Sequence, residues 1–340
     1  MLNSFYEFEK RINDIEELIA VLKSPEKRDE ARAQGIELDI EITRLESERD
    51  RILDDYFSAL SPWEKTLIAR HRDRPYSLDY ARLIFDDLFE LNGDRAGFDD
   101  GAVIGGLARL NGDSVVMIGQ QKGRDLKERQ RRNFGSARAE GFRKALRLAK
   151  LAEKFNKPLI SFVDTPAAAA DLEAEERGIG EAIARNLREF AVLEIPVIVV
   201  IIGEGGSGGA LGMAVGNRVV MLEHAVYSVI PPEGCAAILW RDRDRAPEAA
   251  EALNLTAEGA KKLGVIDEIL PEPLGGAHRD PAAAAATIKR AVLKHLGTLG
   301  KMSATELVES RLERLRRMGE WSEAVVKAKV VKKKSEAGVE

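Results

Sequence analysis

Residues 197–216 read VIVVIIGEGGSGGALGMAVG. Six β-prone residues, Val197 to Ile202, predict a buried strand. The glycines after it predict a tight turn, and the small residues from Ser207 onward predict the start of a helix. Such a junction turns unpaired backbone N–H groups toward something electron-rich. Two chemistries use that arrangement. Gly203-x-Gly205-x-x-Gly208 spells the dinucleotide-binding pattern, and Glu223 stands about 20 positions on, where a ribose partner belongs. That reading implies a nicotinamide-dependent dehydrogenase. Its placement is poor: strands and helices of the same α/β pattern precede it, and the next strand runs into another strand with no crossover helix. The second reading is an oxyanion site, with Gly208 and Gly209 at the helix start donating N–H groups to an enolate that develops in the transition state. Glycines there let a reacting atom approach the backbone. A bare strand–helix turn without a ligand is the third possibility.

Working outward, the same alternation continues. GAVIGGLARLNGDSVVMIGQQ (101–121) predicts two strands joined at Asn111-Gly112, a strong hairpin signal. Helices are predicted over 141–155 and 174–194, strands over 158–164, 217–222, 225–230 and 265–270, and further helices over 246–263 and 281–297. Apolar strands alternating with helices imply an α/β core with parallel strands. Upstream, Phe5, Phe8, Ile12, Ile15, Ile19 and Leu22 recur at spacings of three and four, and Leu38, Ile42, Leu45, Ile52 and Tyr56 resume the stripe after an interruption at 24–35. This is a helical segment, folded on itself or packed on a partner chain. The expected division is a helical hairpin or arm at 1–60, a main domain at 61–320 and a Lys-rich tail at 321–340.

Composition narrows the classes. The chain has 340 residues, 44% hydrophobic and 32% charged, which suits a folded protein with an ample core. A formal net charge of −5 argues against nucleic acid as the main partner. A single cysteine, Cys235, excludes a disulfide framework and a cysteine-cluster zinc site, so no metal is expected in this chain. Neither a secretory signal nor an apolar run of membrane-spanning length is read, and the expectation is a cytoplasmic protein. The four histidines are scattered, and no Ser–His or Cys–His pairing suggests a side-chain nucleophile.

Seven segments together carry a resemblance: DRPYSLDY (73–80), IGQQKGR (118–124), RRNFG (131–135), EERGIGEAIARNLRE (175–189), GEGGSGGA (203–210), PEGCAAILW (232–240) and PEPLGGAHRDP (271–281). In this order they resemble the α subunits of bacterial-type acetyl-coenzyme A carboxylase carboxyltransferases, over roughly residues 3 to 320. The resemblance implies an α/β crotonase-like fold, a spiral of ββα units with an N-terminal helical arm. It implies transfer of a carboxyl group from carboxybiotin, on the biotin carboxyl carrier protein, to acetyl-coenzyme A, giving malonyl-coenzyme A for fatty acid synthesis. The partners it implies are a β subunit that bears a zinc ribbon, in an α2β2 complex, together with the carrier protein and biotin carboxylase. On this reading Gly208 and Gly209, with Gly205 and Gly206, hold the ureido oxygen of biotin. Pro166 and Ala167 form the facing loop, Glu233 and Gly234 adjoin the substrate, and Lys122, Arg124, Arg131 and Arg132 meet coenzyme A phosphates or the partner subunit.

The sequence departs from that family's pattern around the site. After the strand ending at Asp164 it reads DTPAAAAD (164–171), where the family has Asp-Thr-Pro-Gly-Ala-Tyr-Pro-Gly. SARAEGF (136–142) replaces Met-Pro-x-Pro-Glu-Gly-Tyr, Gln120 stands for histidine and Pro231 for serine. Ala167 or Asp171 in a left-handed conformation would strain the loop, and an alanine run invites the next helix to extend backward. The alternative expectation is therefore a homologue that assembles with a β subunit but is catalytically impaired.

Overall fold

The structure, a computed structural model, describes residues 2–319, with side chains from residue 8 onward. The tail expected at 321–340 and the Phe5 side chain lie outside the described residues. Helices α1 (Leu2–Lys23), α2 (Pro25–Ala33) and α3 (Leu38–Phe57) form the N-terminal segment. It folds on itself: Ile19 of α1 packs with Ile42 and Leu45 of α3, and the Phe8 and Tyr56 rings stack at 3.7 Å. The stretch read as an interruption is itself helical, because Ser24 accepts the Lys27 N–H and Pro25 takes the first helical position. It carries almost no apolar residues, so hydrophobic periodicity could not reveal it. The open end of this hairpin docks on the body, where the Phe57 ring meets His224 at 5.2 Å and the Tyr56 hydroxyl donates to Glu64 at 2.9 Å.

Next come α4 (Pro62–Ala69), α5 (Ser77–Ile84), β1 (Asp87–Glu90), β2 (Val103–Leu110) and β3 (Asp113–Gln120). The β2–β3 turn is the expected one, with Asn111 and Gly112 at φ 50° and 87°, the left-handed pair that a two-residue hairpin needs. After α6 (Leu126–Arg131), α7 (Ala139–Lys154) and β4 (Leu159–Thr165), the helix read over 174–194 proves to be two. They are α8 (Leu172–Glu176) and α9 (Ile179–Ala191), broken where Gly178 adopts φ 75°. Then follow β5 (Val197–Gly206), α10 (Ser207–Leu211), β6 (Arg218–Leu222), β7 (Val226–Ser228), α11 (Pro232–Trp240), α12 (Ala246–Leu253), α13 (Ala257–Lys262), β8 (Glu268–Leu270), α14 (Pro281–Leu299) and α15 (Ala304–Arg316).

The strands make one sheet in the order β1-β2-β3-β4-β5-β6-β8, with β7 alongside the end of β5. The β1–β2–β3 meander is antiparallel, and every later pairing is parallel. Every residue of β4 and β5 is buried, so both read as continuous apolar runs. Because they run parallel and adjacent, their C-terminal ends deliver two loops, 166–171 and 207–211, to the same rim of the sheet. Ligands of open parallel sheets bind at such a rim.

Candidate active site

Strand β5 does not stop at Ile202, as read from sequence, but continues through Gly206. The glycines are there because neighbours are too close for a side chain. A Cβ at Gly203 would stand 2.5 Å from Asp164 Oδ1, and one at Gly205 would stand 2.7 Å from the Tyr227 ring. At Gly206 it would meet Pro166 O at 1.9 Å, and at Gly209 it would meet Ala168 N at 2.4 Å and Ala167 C at 2.5 Å. These glycines therefore serve internal packing between the β4 and β5 loops. That accounts for the dinucleotide-like spacing without a pyrophosphate. Glu223, the would-be ribose partner, accepts the Glu272 N–H at 3.2 Å. Gly208 is different: only Ile183 comes near its Cβ position, at 3.6 Å, and the rest is open.

Between β5 and α10 the chain turns on Ser207, a non-glycine residue at φ 53°. Gly205-Gly206-Ser207-Gly208-Gly209 thus reads as Gly-x-Ser-x-Gly on a strand–turn–helix, the shape of a nucleophile elbow. It lacks a base. The hydrogen-bonded imidazoles among the described residues, His71 and His295, engage Asp73 and Glu268 instead. What the elbow exposes is backbone: the first turn of α10 has no intrahelical acceptors for its N–H groups, and Gly208 keeps that face uncovered.

Beneath the elbow lies a buried polar layer that sequence reasoning missed. The fully buried Gln120 donates Nε2–H to Gly209 O at 2.7 Å and accepts the Asp164 N–H at 3.1 Å, tying the end of β4 to the glycine loop. Lys122 Nζ sits 2.7 Å from Asp164 and 2.8 Å from Glu204. Arg70 takes the other oxygen of Glu204 at 2.6 Å and Glu233 at 2.5 Å. Two cations thus bind three carboxylates from five separate segments. Burial pushes the Glu204 carboxyl up, but Lys122 and Arg70 outweigh it and hold it at about 2. Burial also dominates at Asp164, which stays above the usual aspartate range despite Lys122. Lys122 itself, pulled down by burial, is held above its ordinary value by Asp164 and Glu204.

The predicted site residues thus separate. Gly205, Gly206, Gly208, Gly209, Pro166 and Ala167 meet at the rim. Lys122, expected at coenzyme A phosphates, is committed to two carboxylates below it, and Glu233, at the start of α11, is engaged by Arg70. Gly234 lies in the same first turn, its N–H donating to Pro231 O at 2.9 Å. The other three cations lie away from the rim. Arg124 bonds Asp79 and the carbonyls of Arg72 and Arg74 and covers the Tyr76 ring at 4.0 Å. Arg132 is buried on Glu128 and Gly101 O, while Arg131 is exposed. No sequence pattern pairs Arg70 or Gln120 with the glycine loop, because these contacts are long-range.

The altered loop is not strained. None of Ala167 to Asp171 has positive φ among the described residues, and Asp171 is extended at φ −96° and ψ 166°. The alanines do not become helix, since Asp171 caps α8 by accepting the Ala174 N–H at 2.8 Å. Segments 136–142 and 166–171 hold each other: Arg138 contacts Asp171 at 2.9 Å, and the Ala169 N–H donates to Ala137 O at 2.9 Å.

Comparison with known proteins agrees with this geometry. The family described as acetyl co-enzyme A carboxylase carboxyltransferase-like matches residues 5–319. The chain is 52% identical to the acetyl-coenzyme A carboxylase carboxyl transferase subunit alpha of Bordetella avium, covering 95% of this chain and 99% of that one. It is 51% identical to the same subunit of Geobacter metallireducens, covering 93% and 98%. Among solved structures, a Pseudomonas malonate decarboxylase hetero-tetramer in complex with coenzyme A superimposes with a TM-score of 0.57 at 18% identity, over 71% of this chain and 93% of that one. The transcarboxylase 12S core gives a TM-score of 0.54 at 22% identity, over 67% and 42%. These likenesses bear out the crotonase-like fold. The chain belongs to the α-subunit family of acetyl-coenzyme A carboxylase carboxyltransferases.

Proposed function

We propose that the rim formed by 166–168 and 205–209 is the biotin-side half of the carboxyltransferase site, with the N–H groups of Gly208 and Gly209 directed at the ureido oxygen of biotin. The observation that carries this is the open face at Gly208, the one glycine of the elbow that packing does not require. Biotin nitrogen leaves only if charge on the ureido oxygen is stabilised, and fixed amides do so without solvent reorganisation. Gln120 would hold the Gly209 peptide, and the Lys122–Glu204–Arg70 layer would keep the elbow rigid; neither touches substrate on this reading. Arg131, exposed and without a side-chain hydrogen bond among the described residues, is the cation of the predicted four that remains suited to phosphates or a partner surface.

The proposal extends to assembly. The chain would pair with a β subunit that carries the zinc ribbon and most of the coenzyme A site, as α2β2, and act with the biotin carboxyl carrier protein and biotin carboxylase in the cytoplasm. Residues 1–60 would act as the helical arm, 61–320 as the carboxyltransferase domain and 321–340 as a Lys-rich tail. Among the described residues no helix is long and apolar enough to cross a membrane. The test is co-expression with a family β subunit, then assay of malonyl-coenzyme A decarboxylation with free biotin. An assembled complex that turns over only with biotin supports the proposal, and an assembled but inert complex refutes it.

A further inference from the structure

A second cluster of titratable side chains lies apart from the rim. Glu9 of α1, His71 just after α4 and His278 in the turn before α14 meet beside a cavity of about 780 Å³, whose wall also includes Glu16, Asp73 and Arg279. One donor atom of each of the three lies within 4.8 Å of the other two. Glu9 Oε2 is 3.8 Å from His71 Nε2, Glu9 Oε1 is 3.8 Å from His278 Nε2, and the two imidazoles stack at 4.1 Å. The His278 side chain is only 4% exposed, yet neither ring nitrogen has a hydrogen-bond partner, and Glu9 Oε1 is equally buried and unpaired. Each unpaired buried group costs about 1–3 kcal/mol, and a single partner between Glu9 Oε1 and His278 Nε2 would relieve two of the three.

The charges around the cluster are matched apart from that free oxygen. Arg279 takes Glu9 Oε2 at 3.1 Å and Glu16 at 2.8 Å, while Arg72 faces Asp73 at 3.2 Å. Arg279 therefore shares Oε2 with the His71 side and leaves Oε1 toward His278 without a hydrogen bond among the described residues. We propose that Glu9, His71 and His278 form a divalent transition-metal site, with zinc as the ion that suits two imidazoles and one carboxylate. Zinc takes three protein ligands with a fourth position open, here toward the cavity, whereas magnesium and calcium prefer oxygen alone. Zinc–ligand bonds of about 2.0–2.2 Å put tetrahedral donors roughly 3.4 Å apart, so the three donors, which lie within 4.8 Å of one another, close by no more than about 1.4 Å to reach that spacing. His71 Nδ1 now accepts the Asp73 N–H at 3.2 Å, which places the proton of the neutral ring on Nε2. Coordination through Nε2 moves that proton to Nδ1, and the Asp73 N–H that now faces Nδ1 turns aside to admit it. The bound ion would staple α1 to two distant segments of the body. The expectation of no metal rested on the single cysteine, and a nitrogen–oxygen site escapes that argument.

The test uses the full-length, tag-free chain without a β subunit, stripped with a chelator and titrated with Zn²⁺ against a chromophoric competitor. One equivalent per chain is expected, with the melting temperature raised by Zn²⁺ and not by Mg²⁺. His278→Ala should abolish that equivalent, and Glu9→Gln should weaken binding at least tenfold. Circular dichroism of the stripped proteins checks that the variants fold. A folded wild-type chain that takes up no zinc overturns the proposal whatever the variants do, and leaves the cluster to water. Zinc uptake that persists in folded His278→Ala overturns it as well.

Discussion

Gly208 and Gly209 are neighbours on one turn, yet replacing each with alanine will fail differently. At Gly209 the new Cβ would lie 2.4 Å from Ala168 N and 2.5 Å from Ala167 C, both backbone atoms. Ordinary contact needs about 3.4 Å or more, so the β4 loop must retreat by roughly 1 Å, an overpacking cost of about 1–3 kcal/mol. Gly209→Ala should therefore lower stability and activity together. At Gly208 the Cβ would meet only Ile183 Cδ1, at 3.6 Å. There the methyl fits, and the loss of chain freedom in the unfolded state stabilises by about 0.4–1 kcal/mol. The same methyl stands on the open face where biotin would approach the amides. Complete loss of one oxyanion donor costs about 10²–10³ in turnover. A methyl that obstructs without deleting the donor should cost about 10–100-fold, or roughly 1.4–2.7 kcal/mol of barrier.

Both variants are assayed in the assembled complex by malonyl-coenzyme A decarboxylation with free biotin, beside thermal unfolding of the chain. For Gly208→Ala the expected result is an unchanged or raised melting temperature, a reduced kcat, and a KM for malonyl-coenzyme A within about twofold, since the obstruction lies on the biotin side. An assembled Gly208→Ala complex with wild-type kcat would falsify the placement of biotin at this face. A Gly209→Ala chain as stable as wild type would refute the packing argument.

Other outcomes follow from the same coordinates. Lys122→Met leaves Asp164 and Glu204 short of a buried cation and should cost about 3–5 kcal/mol in urea unfolding; a cost under 1 kcal/mol would mean the layer relaxes freely. Glu204 and Glu272 are held at about 2, below the ordinary 4.5, so their stabilisation is full above pH 4.5 and is lost as pH falls through about 2. Acid unfolding followed by circular dichroism should fall across that window, and Glu272→Gln should flatten it. Ser207→Ala should change turnover by no more than a few-fold; a loss beyond 100-fold would mean that its hydroxyl takes part. Asp171→Gly removes the α8 cap and the Arg138 contact and should lower the melting temperature slightly without raising the rate; a tenfold gain in rate would show that the native loop does impair catalysis.

What the sequence made legible was local. The Asn111-Gly112 turn and the apolar runs of β4 and β5 carry their own signals, and the motifs around Gly205–Gly209 mark the rim. The end of β5 was misplaced because glycine signals a turn and close packing alike, and only the neighbours Asp164, Tyr227 and Pro166 distinguish them. Gly178 broke a helix whose apolar period runs on past it, since periodicity registers side chains and not φ. Lys122 looked like a phosphate ligand because a lysine in a basic run carries no mark of Asp164 and Glu204, which reach it from other strands. Gln120, Arg70 and the Glu9–His71–His278 cluster were invisible for the same reason: their partners come from segments far away in the chain.

The loop at 166–171 shows how a backbone path can be held without glycine. If the donors are backbone amides, selection acts on where the backbone runs, and many side chains are compatible with one path. The path of 166–171 is fixed by contacts that do not depend on the lost glycines: Thr165 Oγ1 lies 2.7 Å from the carbonyls of both Gly135 and Ala167, and Ala169 bonds Ala137 through main-chain atoms. Asp171 then supplies as a cap what glycine could not, and Arg138 supplies its counter-charge. A glycine with positive φ allows a turn, whereas a capped aspartate enforces one. The Arg138–Asp171 pair braces the loop that faces Gly206 and Gly209 at the same rim. That bracing holds the Pro166–Ala168 backbone against Gly206 and Gly209 through main-chain and capping contacts, whatever side chains the alanine run carries.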